Sequence, residues 1–244
     1  MSSNVKAVIF DWDETLSQNR DLVVSSMNYV LKSYSLPDWD TIKKEKRDAN
    51  KSLKENFPNF FGRDADAAYD LYVTTYRANI SHDLKPVAGA PDVVAYLHSK
   101  QVPLFVVSNK DKVLLEEEVS CLFSSSPFIR ILGNGDAEYN KPHPAPVYEA
   151  LKVLDLHPNK DEIWLVGDSK QDTDCALASG CVPVLVGSGK FMNADYLAHN
   201  DDVKNIINFA NFESLLQRLK VGLSFVDKSV ESNKSKVTKA KLNP

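Results

Sequence analysis

Residues 7–15 read Ala-Val-Ile-Phe-Asp-Trp-Asp-Glu-Thr, an apolar run that ends abruptly in Asp11 and Asp13. A run this short suits a buried parallel strand, and in open α/β sheets ligands gather just beyond the carboxyl ends of the strands. Two carboxylates at such a place invite a hard cation. Magnesium prefers oxygen ligands and usually takes one or two carboxylates, leaving its other positions to water and a substrate phosphate. Taken alone, the pair also fits an acidic turn after a strand, because aspartate is a common turn former.

Three further segments repeat the pattern of an apolar run opening into a polar cluster. Residues 103–110, Pro-Leu-Phe-Val-Val-Ser-Asn-Lys, bring the Ser108 hydroxyl out where a strand should end. Residues 141–146, Lys-Pro-His-Pro-Ala-Pro, set one cation in a proline-stiffened loop before a helical stretch. Residues 163–172, Ile-Trp-Leu-Val-Gly-Asp-Ser-Lys-Gln-Asp, form another strand that opens into acid.

In order and content these four segments resemble the signature motifs of the haloacid dehalogenase superfamily, whose members are mostly magnesium-dependent phosphatases, and the likeness runs over about residues 5–187. The resemblance implies roles residue by residue. Asp11 matches the nucleophile that forms an aspartyl phosphate, a carboxylate ionised at neutral pH and needing no activating base. Asp13 matches the general acid/base, which protonates the leaving oxygen and then activates water. Superfamily dehalogenases and phosphonate hydrolases lack this second aspartate, so its presence points to phosphate esters. Thr15 matches a position that holds the loop around Asp13 and is counted with the substrate-binding residues. Ser108 would bond the phosphate, and Asn109 would orient the nucleophile or the substrate. Lys141 would stabilise charge shared by nucleophile and phosphoryl group as a compact point charge. Lys110 is its rival by position alone. Asp168 would complete a Mg2+ site with Asp11 and Asp13, and Asp172 would join it through water or hold Asp168 or Lys141. Asp174 is expected to be solvated, on a helix from 172 to 179 that Gly180 ends. Glu14 departs from the glycine frequent at its position in the family and brings a third carboxylate where the cap should join, which would repel an anionic substrate.

Strand signals near 5–10, 103–107, 129–132, 163–166 and 182–186 alternate with helical stretches such as 90–100, 144–154 and 172–179. This alternation predicts a Rossmann-like, doubly wound parallel α/β sheet covered on both faces. Residues 17–85 show only helical signals, roughly 20–35, 39–56 and 65–80, and are expected to form an inserted α-helical cap domain. The catalytic core would then comprise 1–16 and 86–221, and 222–244 would be a flexible, lysine-rich tail. In the family a cap of this kind closes over the site, excluding water and selecting substrate. Residues 47–62 look similar to the cap substrate loop of phosphoglycolate phosphatase-like relatives, so Arg47, Lys51 or Ser52 would contact the far end of the substrate, where a cation suits a carboxylate. The aromatic group Phe57, Phe60, Phe61, Tyr69, Tyr72 and Tyr76 is expected to pack the cap.

The 244 residues are 43% hydrophobic and 25% charged, enough for one ordinary core and a smaller appendage. A net charge of -4, without a basic stripe, gives no case for nucleic acid or membrane binding. Cys121, Cys175 and Cys181 have no metal-like spacing and read as reduced, buried thiols. Of the five scattered histidines only His143 lies beside a motif. No apolar stretch reaches the length of a membrane span, and the first strand leaves no room before it for a signal peptide, so a cytoplasmic setting is expected. The sequence reading is thus a Mg2+-dependent phosphatase for a small-molecule phosphate ester, phosphoglycolate-like, working as a monomer or weak homodimer. The alternatives are a phosphomutase of the β-phosphoglucomutase type and a non-catalytic binding protein that keeps the fold.

Overall fold

The computed structural model describes residues 5–48, 51–187 and 205–221. Its centre is β1 (Val5–Phe10), flanked on one side by β4 (Leu104–Asp111) and then β5 (Arg130–Asn134). On the other side lie β6 (Glu162–Gly167), β7 (Val182–Val186) and β8 (Ile207–Phe209), and every pairing in this six-stranded sheet is parallel. Phe10 stands opposite Val106 of β4 and Val166 of β6, so the three motif-bearing strands end side by side. The chain steps outward from β1 to β5 and then returns to β6, and that reversal places a crevice at the carboxyl end of β1.

Alternate residues of β1 feed two separate cores. Val8 and Phe10 pack with Val93, Val94 and Leu97 of α5 (Ala90–Ser99), Leu115 and Val119 of α6 (Lys112–Leu122), and Phe212 and Leu215 of α9 (Phe212–Val221). Ala7 and Ile9 face Val147 and Ala150 of α7 (Ala145–Leu151) and Cys175 and Ala176 of α8 (Lys170–Ser179). Both faces are therefore covered, as strands this uniformly apolar require.

Between β1 and α5 four α-helices form: α1 (Arg20–Ser33), α2 (Trp39–Lys46), α3 (Leu53–Phe61) and α4 (Ala65–Asp83). They bury a core of their own from Leu22, Met27, Leu31, Trp39, Phe57, Phe60, Tyr72 and Tyr76. The single helix expected over 39–56 is instead two. Ser52 and Glu55 form a reciprocal capping box that starts α3 afresh, and the Asn56 side chain accepts from the Asp48 backbone N–H at 2.7 Å. A short antiparallel ribbon, β2 (Ser17–Gln18) against β3 (Lys85–Pro86), joins the outgoing and returning chain at the foot of these helices. This ribbon and β8 are too short to show a period in the sequence. The tail from 222 lies outside the described residues. No helix among those described is long and apolar enough to cross a membrane.

Candidate active site

The ends of β1, β4 and β6, with the start of α8, converge under the helical insertion on a cavity of 440 Å³. Asp11, Asp13, Ser108, Asn109, Lys141, Asp168 and Asp172 line its floor, while Arg47, Lys51, Tyr69 and Tyr72 line its helical side. Residues scattered over 160 positions thus meet because three neighbouring parallel strands end together.

Asp11 is held on both oxygens. Lys141 Nζ donates to Oδ1 at 2.5 Å and Thr15 Oγ1 donates to Oδ2 at 3.1 Å. Thr15 is 1% exposed and sits behind Asp11, also reaching Asp168 at 3.4 Å. Lys141 is buried and also donates to Asp172 Oδ1 at 2.7 Å. Asp172 is fixed in turn by Ser169, whose backbone N–H and hydroxyl donate to Oδ2 at 3.1 and 2.5 Å. Gly167 makes this possible: a Cβ there would stand 2.3 Å from Asp172 Cγ.

The Asn109 side chain clasps the Lys141 backbone, donating to the carbonyl at 2.8 Å and accepting from the N–H at 2.9 Å. Ser108 is buried at the cavity floor, and its hydroxyl accepts the Lys110 N–H at 3.2 Å.

Carboxylate oxygens of Asp11, Asp168 and Asp172 lie within 4.8 Å of one another. When all are ionised, three carboxylates against the single Lys141 ammonium leave a charge of -2. The repulsion is visible in the acids themselves. Burial, reinforced by Asp172 and opposed by Lys141, pushes Asp11 up to about 8, and burial with Asp172 pushes Asp168 up to about 7. A dication in this all-oxygen site is the fitting complement. The Asp13 carboxylate stands apart from this cluster, bonded to Asn19 Nδ2 and, at 3.1 Å, to Lys110 Nζ.

Glu14 adopts φ 61, a left-handed conformation that explains why glycine suits the position. Its carboxylate accepts the backbone N–H groups of Asn19 and Arg20 at 3.1 and 2.9 Å, so its charge is engaged at the start of α1. Arg47 is exposed, with its guanidinium 5.9 Å from the Trp39 ring centroid. Lys51 stands 4.0 Å from Asp48. Ser52 Oγ is occupied by the Glu55 N–H and by Asn134 Nδ2. Lys170 pairs with Asp174. His143 accepts the Ala145 N–H and is not part of the cavity wall. Cys175 and Cys181 are buried, whereas Cys121 is exposed, contrary to expectation.

Sequence reasoning missed Asn19 and Glu118. Glu118 is fully buried and accepts from the Trp12 indole at 2.6 Å and from the Asn19 amide at 3.2 Å. It stands in the run Glu116-Glu117-Glu118, which reads as a solvated face. The detectable signal is its phase, three residues after buried Leu115 and next to buried Val119.

The comparisons agree with this architecture. A phosphoglycolate phosphatase from Chromobacterium violaceum is 28% identical over 194 residues, covering 76% of this chain and 86% of that protein. The pyrophosphatase PpaX of Anoxybacillus flavithermus is 29% identical over 181 residues, covering 69% of this chain and 77% of its own. The crystal structure of a predicted phosphoglycolate phosphatase from Haemophilus somnus superposes with a TM-score of 0.73 at 22% identity, over 89% of this chain and 99% of that one, which speaks for the fold. Residues 8–186, from β1 to the end of β7 and so through every strand that carries a motif, match the haloacid dehalogenase-like hydrolase family, and the chain belongs to it.

Proposed function

We propose that this hydrolase is a Mg2+-dependent phosphatase that cleaves a small phosphorylated acid through an aspartyl phosphate on Asp11. The observation that carries the reading is the pairing of a lysine-clamped, buried aspartate with a second aspartate two residues on, both lining one cavity. An Asp11 oxygen attacks phosphorus, the ester P–O bond breaks, and Asp13 gives its proton to the leaving oxygen. Water then attacks the aspartyl phosphate, passes a proton to Asp13 and frees inorganic phosphate. Lys141 and the Ser108 hydroxyl neutralise and orient the transferring group. Asp11, Asp168 and Asp172 would hold the metal, which when bound keeps these acids ionised and shares the charge of the phosphoryl oxygens.

The names of the relatives support two substrates, 2-phosphoglycolate and pyrophosphate. Arg47 and Lys51 on the helical wall favour a substrate with a second anionic group. The helices of 17–85 act as the cap, and every group named comes from one chain, so a monomer suffices. Three free cysteines suit a reducing cytoplasm. No observation in the site favours a mutase or a silent binding protein.

The test is phosphate release from 2-phosphoglycolate and from pyrophosphate with Mg2+. Activity is expected to vanish in EDTA and to fall by a factor on the order of 10³ or more in Asp11→Asn. Equal release by that variant would overturn the assignment. Stoichiometric transfer to a sugar phosphate without free phosphate would make it a mutase.

A further inference from the structure

Glu118 takes no part in the reaction outlined above, yet it is the most heavily bonded carboxylate in the described molecule. Its Oε2 accepts from Trp12 Nε1 at 2.6 Å, Asn19 Nδ2 at 3.2 Å and Ser17 Oγ at 3.4 Å. Its Oε1 accepts from the Tyr76 hydroxyl at 2.5 Å and lies 2.8 Å from Lys110 Nζ. Two of these partners, Asn19 and Lys110, are the two donors that hold Asp13, and both converge on Asp13 Oδ1. Among the described residues no donor reaches Asp13 Oδ2, which leaves that oxygen to the cavity.

A buried Lys–Glu pair is a costly way to staple a helix, since desolvating both charges offsets most of their attraction and apolar side chains would serve as well. Lys110 is 7% exposed along its side chain and Glu118 is fully buried, so neither charge is there for solubility. The insertion joins in through α4: the Tyr76 hydroxyl also accepts from Lys110 Nζ at 3.1 Å, and the ammonium lies 4.8 Å from the ring centroid.

We propose that Glu118 is a positioning residue for Asp13: it grips both donors on Asp13 Oδ1, so that Oδ2 faces the leaving oxygen, and Tyr76 ties this grip to the helical insertion. Lys110 acts in the same way. The proton relay of Asp13 is thus set by a glutamate that touches neither substrate nor metal. The inference rests on the acid role given to Asp13 above.

Leaving-group dependence separates positioning from mere support. p-Nitrophenolate departs without a proton, whereas the alkoxide of 2-phosphoglycolate needs one. We would measure kcat/KM, which reports the steps through cleavage of the ester, for 2-phosphoglycolate and p-nitrophenyl phosphate with Mg2+. Glu118→Gln keeps the shape and loses the charge that holds Lys110. It is expected to lower kcat/KM for the alkyl ester about tenfold or more, and for the aryl ester less than about threefold. Tyr76→Phe, which leaves both charges in place, covers the case in which Glu118→Gln does not fold, and should show the same selectivity at smaller size. Equal falls on both esters, or no fall on either, in a variant that melts like the wild type would overturn the proposal. Wild-type protein that turns over neither ester would instead remove the phosphatase reading beneath it.

Discussion

At the scale of single residues, the two lysines of the site divide the two aspartates between them. Lys141 grips Asp11 and Lys110 grips Asp13. They are expected to fail differently. Lys141→Ala leaves three carboxylates without their cation and should cost on the order of 10²–10³ in kcat, measured on 2-phosphoglycolate. Gly167→Ala tests the same clamp from beneath, because its new methyl must displace Asp172 and with it Lys141. A shift of about 1 Å there is worth about 10²-fold in rate, and unchanged kcat would show that the Asp172 contact is dispensable. The cysteines give an independent check on burial. Burial pushes Cys175 up to about 12 and Cys181 up to about 11, so at about pH 8 a thiol reagent should label Cys121 alone in the native protein and all three after unfolding. For these thiols the folded state keeps its protons longer, so their stabilising share holds below the ordinary value of 9.0 and is lost as pH rises past it. At this scale the sequence disclosed every residue placed just after an apolar run. Asn19 and Glu118 escaped because their roles depend on contacts made from 99 residues apart, which no local spacing records.

At the scale of elements, the strands were legible because buried parallel strands are nearly all apolar and end in punctuation, as β1, β4 and β6 do. Helix boundaries in the insertion were less so. The pattern over 39–56 carries helical residues throughout, and the break is set by the Ser52–Glu55 box, a signal of four residues that a long period hides. The junction of β1 with α1 makes a separable prediction. Glu14 is strained at φ 61 but caps α1, two effects of opposite sign. Glu14→Ala keeps the strain and loses the cap, so it should destabilise by about 1 kcal/mol. Glu14→Gly loses the cap but relieves the strain of about 1 kcal/mol, and should melt close to the wild type. A Glu14→Ala protein as stable as Glu14→Gly would show that the two N–H contacts contribute nothing.

At the scale of the whole molecule, folding has to bring three carboxylates together around one lysine, and the metal and the pH decide how costly that is. Asp11 and Asp168 sit at about 8 and 7 in the folded chain against 3.8 in the unfolded one. The metal-free fold therefore holds more protons across that window, and these two acids reduce its stability as pH rises through it. Mg2+ should reverse this. The gap between melting curves in Mg2+ and in EDTA is expected to widen from about pH 5 to about pH 8, reaching about 2.7 kcal/mol when Mg2+ is a hundredfold above its Kd. It should collapse in Asp168→Asn, and a gap that narrows as pH rises would show that protons and metal do not share the site. The overall α/β architecture was legible from the alternation of strands and helices, while the cavity volume and the choice of far-end contacts were not, since they depend on how four helices lean over three strand ends. The β2–β3 ribbon sets how such a molecule can change over generations. Because the chain leaves and rejoins the sheet at paired residues, Ser17 against Pro86 and Gln18 against Lys85, the intervening helices hang from one stem. A replacement of those helices that keeps both ends of the stem would leave the strand ends beneath it, with Asp11, Asp13 and Asp168, in place.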